Sequence, residues 1–262
     1  MEYSKANGAL LLREHNAVQL ELEQLSLSVV VAGQSISNVR VQEYMLRGAG
    51  RRLRLLRRCL SNVFRLFPPT IQMPVSWDTL DEVQINLHAY VINLFGLFEN
   101  LAWSFVLRHE LELKIGDRKK IGFFSESTQK YLPPKLKDYL NSSTTVTWHK
   151  EYLKNYRDAM AHRIPLYIPP AVFTPEEGDR YAELEQAKAE SIRHQDWDRI
   201  GQIKTEQARL GSACLVFLHS FSDDARPRPI YLHPQMLCDA KTVLEFCLLY
   251  LVHWHECVHP PA

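Results

Sequence analysis

A mainly α-helical, up-and-down bundle with one minor extended element is the fold that this sequence predicts, and three observations predict it. Apolar residues recur at threes and fours over long stretches, the period of one helix face. Proline pairs (Pro68-Pro69, Pro133-Pro134, Pro169-Pro170) fall between those stretches, where a missing N–H breaks no ladder. Strand character is confined to Ser212–Phe221 and Pro229–His233. The 262 residues suit a single domain, 1–262, with a core at about 77–163 and flanking helices.

The first helix is expected from about Ser4 to Val31, with Leu10, Leu11, Ala17, Val18, Leu22, Leu25 and Val29 inward. Gly33-Gln34-Ser35 ends it, and Ser35 or Ser37 is placed to cap the next helix. There Leu46, Ala49, Leu53, Leu56, Leu60, Val63 and Phe67 alternate steps of three and four, a buried seam of coiled-coil type. Beside the seam run Arg47, Arg51, Arg54 and Arg58, with Arg52, Arg57 and Arg65 nearby. Such a stripe is either a solvated face or a ridge of phosphate contacts, and charge pattern alone does not choose.

A long helix follows from about Trp77 to Leu113, with Asp78 as its expected cap. Leu80, Val83, Leu87, Val91, Leu94, Phe98, Leu101 and Phe105 form its core face, and Asn86, Asn93 and Asn100 make a column at spacing seven. Gly96 costs about 1 kcal/mol against alanine there, which suggests close approach by another helix. Glu99, beside the apolar stripe, needs a buried partner. Arg157 is the first candidate, and another Lys, Arg or hydroxyl the second.

Lys114–Thr147 reads as a basic loop with a short helix at Lys135–Leu140. Its Asp117-Arg118-Lys119-Lys120 and Phe123-Phe124 either dock the loop on the core or stack single-stranded bases. Asn141–Thr145 supplies a cap for the helix at Trp148–Arg163, which Ile164-Pro165 stops. His149, Leu153, Tyr156 and Met160 are its packing stripe. Beyond it, Pro165–Pro170 is extended, and Thr174-Pro175-Glu176-Glu177 opens a polar helical region reaching about Arg209. Ser212–Phe221 and Pro229–His233 form a hairpin or a buried extended stretch. Gln235–His255 is a helix apolar on most sides.

The helix ending Arg157-Asp158-Ala159-Met160-Ala161-His162-Arg163 carries the chemistry. Asp158 and His162 are four apart, so the carboxylate is expected to orient the imidazole. Arg157 lies roughly 140° from His162 around the helix at about 3.6 residues per turn. One copy spreads these groups, and two copies packed together focus them. The segment resembles the R-x4-6-H signature of the HEPN superfamily, of the uncharacterised bacterial HEPN-like kind. Asn93–Trp103 is similar to the helix that packs against that signature in one HEPN family. Arg228 to His233 satisfies the same spacing, but Pro227 and Pro229 forbid a helix interior there.

The resemblance implies a homodimeric, metal-independent endoribonuclease with RNA as substrate and no cofactor, of toxin or defence type. It also implies an antitoxin or nucleotidyltransferase as a further partner. Arg157, His162 and Asp158 would be catalytic, Glu99, Arg163 and Asn100 supporting, and Arg47, Arg51, Arg54 and Arg58 RNA-binding. The alternatives are a non-catalytic nucleic-acid-binding or regulatory module, and a structural partner in a toxin–antitoxin assembly.

Composition narrows the rest. A net charge of +1 argues against a protein that coats nucleic acid indiscriminately. Five cysteines without CxxC spacing read as reduced thiols, hence an expected cytoplasmic location. The most apolar run, Phe246–Val252, is too short to span a bilayer, so no membrane is expected. His253, His255, Cys257 and His259 lack recognised zinc spacing, so no metal site is expected. No phosphate-binding glycine loop or nucleophile elbow is present.

Overall fold

The computed structural model describes residues 3–219 and 228–258. It is 75% helical with one two-stranded sheet, so the chain is mainly α. The helices are α1 (Lys5–Gln34), α2 (Val39–Gln42), α3 (Arg51–Leu66), α4 (Trp77–Arg108), α5 (Glu112–Ile115), α6 (Glu126–Gln129), α7 (Pro134–Asn141), α8 (Ser143–Thr147), α9 (Lys154–His162), α10 (Pro175–Arg193), α11 (Trp197–Gln207) and α12 (Leu232–Val258). Two π-helical segments, Glu43–Gly50 and Trp148–Leu153, join α2 to α3 and α8 to α9 without a break. The strands β1 (Val216–His219) and β2 (Arg228–Tyr231) pair antiparallel, so the hairpin alternative is the one adopted.

One hydrophobic cluster runs from Val18 to Trp254 and is built by α1, α3, α4 and α12, with α9 closing one side. Val18, Leu22, Leu25 and Val29 face inward, whereas Leu10 and Ala17 do not. The α3 seam holds from Ala49 to Phe67, but its first member is Met45 instead of Leu46. The reason is the π segment: its wider turn keeps Val41, Met45 and Ala49 on one face in successive steps of four. Caps also move: Asn38 caps α2, and Ser76, not Asp78, accepts from the Thr79 amide at the start of α4.

All eight expected core residues of α4 are buried. Among the described residues α4 is the one helix long and apolar enough to cross a membrane, and 61% of its apolar window lies inside the bundle. It ends at Arg108, short of Leu113, because Glu110 adopts a left-handed conformation (φ 53°) that turns the chain. The asparagine column faces α3. Arg52 Nε donates to Asn100 Oδ1 at 2.8 Å and its Nη1 to Asn93 Oδ1 at 3.2 Å, while Asn62 donates to Asn86 at 2.9 Å. A Cβ on Gly96 would sit 2.3 Å from Arg52 Cζ. The close approach is therefore by a guanidinium lying on α4, not by a helix backbone.

The expected basic loop is a chain of short helices, α5 to α8, with a 3₁₀ turn at Arg118–Lys120. Phe123 is buried and Phe124 stacks on His149, which settles these aromatics as core-docking. Residues 175–207 divide into two packed helices, α10 and α11, because Gln195 (φ 57°) reverses the chain. The Thr174–Glu177 capping box opens α10 as expected. Val172 and Tyr167 bridge to Ser212 and Leu218, tying the extended segment to the hairpin region.

Candidate functional site

The helix bearing Arg157 and His162 is anchored at its beginning and open at its end. Ser142 accepts from the Thr145 amide to start it. In the π segment the Trp148 indole N–H donates to Asp239 Oδ1 at 2.8 Å, and Gln235 donates to the same oxygen at 2.8 Å. Asp239 is fully enclosed, and burial pushes its carboxyl up to about 6. Leu153, Tyr156 and Ala159 are buried, while His149 and Met160 of the expected stripe are half-buried. The extra residue of the π turn brings His149 flat onto Phe124, with ring centroids 3.5 Å apart and planes 7° apart.

Arg157 points back toward α4. Its Cζ lies 4.3 Å from the Phe95 ring centroid, and its Nη1 pairs with Asp158 Oδ1 at 3.0 Å. Its Nε is buried and has no hydrogen-bond partner. The group enters a cleft of about 320 Å³ lined by Phe95, Glu99, Lys119, Gly122, Phe124, His149, Lys154 and Arg157, among others. Lys119 and Lys154 are exposed and form no ion pair among the described residues. Burial first, with the charges of Lys154, Lys150 and Arg157 adding to it, lowers the His149 pKa to about 4. The imidazole is therefore neutral at pH 7, a wall and not a cation.

Glu99 lines this cleft, yet it forms no ion pair with Arg157. Burial raises its pKa, and Arg157 acts at longer range to lower it. The arginine's ion pair is instead with its own neighbour, Asp158. This corrects the expectation that Asp158 orients His162: the carboxylate is taken by the guanidinium, and His162 projects past the packed part of the helix. His162 is exposed and makes no hydrogen bond or ion pair among the described residues. Arg163, also exposed, acts electrostatically on His219, a buried histidine that packs edge-on against Tyr156 with centroids 5.1 Å apart.

The other expected site residues lie apart. Asn100 belongs to the Arg52 clasp on the α3 side of α4 and is not in the cleft. Arg51, Arg54 and Arg58 are exposed and without ion pairs among the described residues, whereas Arg47 pairs with Glu43 at 3.4 Å. The second spacing match dissolves. Arg228 lies in β2, and His233 is buried in the first turn of α12, bonded through Nε2 to the Phe67 carbonyl at 2.7 Å. Of the C-terminal histidines, His253 meets His109 with their Nε2 atoms 3.1 Å apart, His255 is exposed, and Cys257 and His259 lie outside the described side chains. No cluster of three metal-ligating groups occurs among the described residues.

Phe95, Lys119, Lys154 and His149 were not anticipated as one group. Lys154 stands three before Arg157, a helical neighbour readable from spacing, but nothing local announces that Lys119 folds back to meet it. Comparison with family models, with curated proteins and with solved structures gives no match.

Proposed function

We propose that this chain is a metal-independent endoribonuclease of HEPN type, acting as a homodimer whose composite active site joins groups from both copies. The observation that carries the reading is the division of the motif. Arg157 opens into a cationic cleft and His162 stands free on another side of the same helix, so each side of one copy is chemically half-complete. A second copy supplies the other half.

In the reaction the ribose 2′-OH attacks the adjacent phosphorus and the 5′-oxygen leaves, giving a cyclic phosphate and a 5′-hydroxyl. A protonated His162 donates to the leaving oxygen, while a neutral counterpart takes the 2′-OH proton. Arg157 stabilises the charge that grows on the phosphoryl oxygens. Asp158 holds Arg157 in place, and the exposed arginines of α3 extend the contact with the RNA backbone. Toxin or defence use, with an antitoxin or nucleotidyltransferase partner, follows from the resemblance alone.

The test is cleavage of a labelled structured RNA in EDTA by wild type, His162→Ala and Arg157→Ala. Cyclic-phosphate ends that disappear in both variants, with losses of about 100-fold or more, are the expected result. A purified dimer that leaves diverse RNAs intact overturns the enzyme and leaves a nucleic-acid-binding or regulatory module. The Arg157–Asp158 pair specifically favours that second reading, since Asp158 does not serve the histidine.

A further inference from the structure

The Arg157 cleft is assembled by three separate parts of the chain. Lys119 comes from the 3₁₀ turn, Glu99 and Phe95 from α4, and Lys154 and Arg157 from α9. Its cations outnumber its acids. Lys119 and Lys154 have no ion-pair partner among the described residues, and Glu99, the carboxylate in the cleft, is biased by burial toward its neutral form.

The arginine fork is also prepared. Asp158 holds Nη1 from one side, and the Phe95 ring supports the plane from below. Asp158 thus leaves the edge formed by Nε and Nη2, and the Nε on that edge is a buried donor with nothing to bond. That edge is the one that grips two oxygens of a phosphate at once. Buried donors are almost always satisfied, and this unbonded one belongs to a side chain that lines a lysine-bearing cleft, where an entering anion is the missing acceptor. The π turn that swings His149 onto Phe124 builds the far wall, and such bulges are frequent at functional sites.

We propose that the Arg157 cleft is a phosphate-binding site complete within one chain, in which Arg157 grips two oxygens of a phosphate ester while Lys119 and Lys154 neutralise its charge. The phosphate belongs to a nucleic-acid backbone or to a small free ester. The proposal rests on the ribonuclease reading for its substrate class. It adds that each copy holds a phosphate by itself, before a second copy supplies His162.

The experiment is calorimetric titration of the full chain in EDTA with inorganic phosphate and with a 2′-O-methyl RNA octamer, which 2′-OH attack cannot cleave. Lys119→Gln/Lys154→Gln, two exposed positions whose loss does not threaten folding, is expected to weaken both ligands at least about tenfold. Arg157→Lys is expected to do the same, because an ammonium cannot bind bidentately. Arg193→Gln, an exposed position on α10, binds within about twofold of wild type. Tighter binding of the octamer than of phosphate assigns the site to nucleic acid, and equal binding assigns it to a small ester. A double lysine variant that binds both ligands as wild type does overturns the proposal. Failure of the two readings is separable. Binding through the lysines without RNA cleavage sinks only the nuclease, and cleavage that ignores both lysines sinks only the phosphate site.

Discussion

Two arginines approach α4 from different flanks. Arg52 lies across Gly96 and gives its Nε and Nη1 to Asn100 and Asn93, so the guanidinium joins α3 to α4 with acceptors waiting on both sides. Arg157 rests on Phe95, borrows a carboxylate from the next residue, and keeps its Nε buried and unbonded. Both are half-buried residues on helices that pack against the same partner. The difference teaches how to separate a cation that holds the fold from one that faces a ligand. The first has its donors matched by groups from the element it clasps, and the second has a spare donor edge beside a cleft.

The contrast breaks most directly in a pair of substitutions. Arg52→Met is expected to destabilise the protein by about 2–4 kcal/mol, since hydrogen bonds to charged groups contribute about 1.5–3 kcal/mol each and two asparagine oxygens lose their donor. Arg157→Met is expected to change stability by less than about 1 kcal/mol, as it removes one salt bridge to an adjacent, partly exposed carboxylate. Urea unfolding of the two variants decides. Equal losses would make Arg157 another structural clasp.

A second prediction concerns the anchored end of the same helix. Asp239 titrates at about 6 when folded, above the 3.8 of an ordinary aspartate, so the folded state binds its proton more tightly. Its contribution to stability is full below pH 4 and is lost as pH rises through 6. The difference corresponds to about 2–3 kcal/mol at about 1.4 kcal/mol per pH unit. Asp239→Asn keeps an oxygen for the Trp148 and Gln235 donors and removes the titration. Thermal unfolding is expected to show a decline between pH 4 and 7 in wild type that the variant lacks. An unchanged profile would place that titration elsewhere.

A smaller effect than that of Arg52→Met is expected at Gly96→Ala. The new methyl displaces the Arg52 guanidinium, and the helix-propensity gain of about 1 kcal/mol offsets part of the lost bonding. A net loss of about 1 kcal/mol is expected, and combining it with Arg52→Met should erase the penalty. Full additivity in that double variant would show that glycine and arginine are not coupled.

Much of the fold was readable because helices write their packing into the chain with a short period. The α4 core face, the α3 seam beyond Ala49, the Thr174 capping box and the proline stops needed only local rules. The exceptions share a cause. The π segments at Glu43–Gly50 and Trp148–Leu153 add a residue per turn, and so moved the inward position from Leu46 to Met45 and set His149 against Phe124. Glu110 and Gln195 reverse the chain in left-handed conformations that glycine would have advertised and glutamate and glutamine do not. Asn100 and Glu99 were grouped with the motif through the resemblance carried by Asn93–Trp103, yet consecutive helical residues point about 100° apart and serve different neighbours.

The sequence by itself determined the helical class, the long core helices and the placing of Arg157 and His162 on separate sides of one helix. Those follow from period, caps and the geometry of a single helical turn, which act between residues a few positions apart. Only the tertiary structure decided that Asp158 serves Arg157, that Asn100 clasps Arg52, and that Lys119 meets Lys154 beside an unbonded Nε. The last two join side chains whose meeting depends on how whole helices pack, and no local rule carries that distance; the first joins neighbours, a pairing that local geometry allows and packing selects.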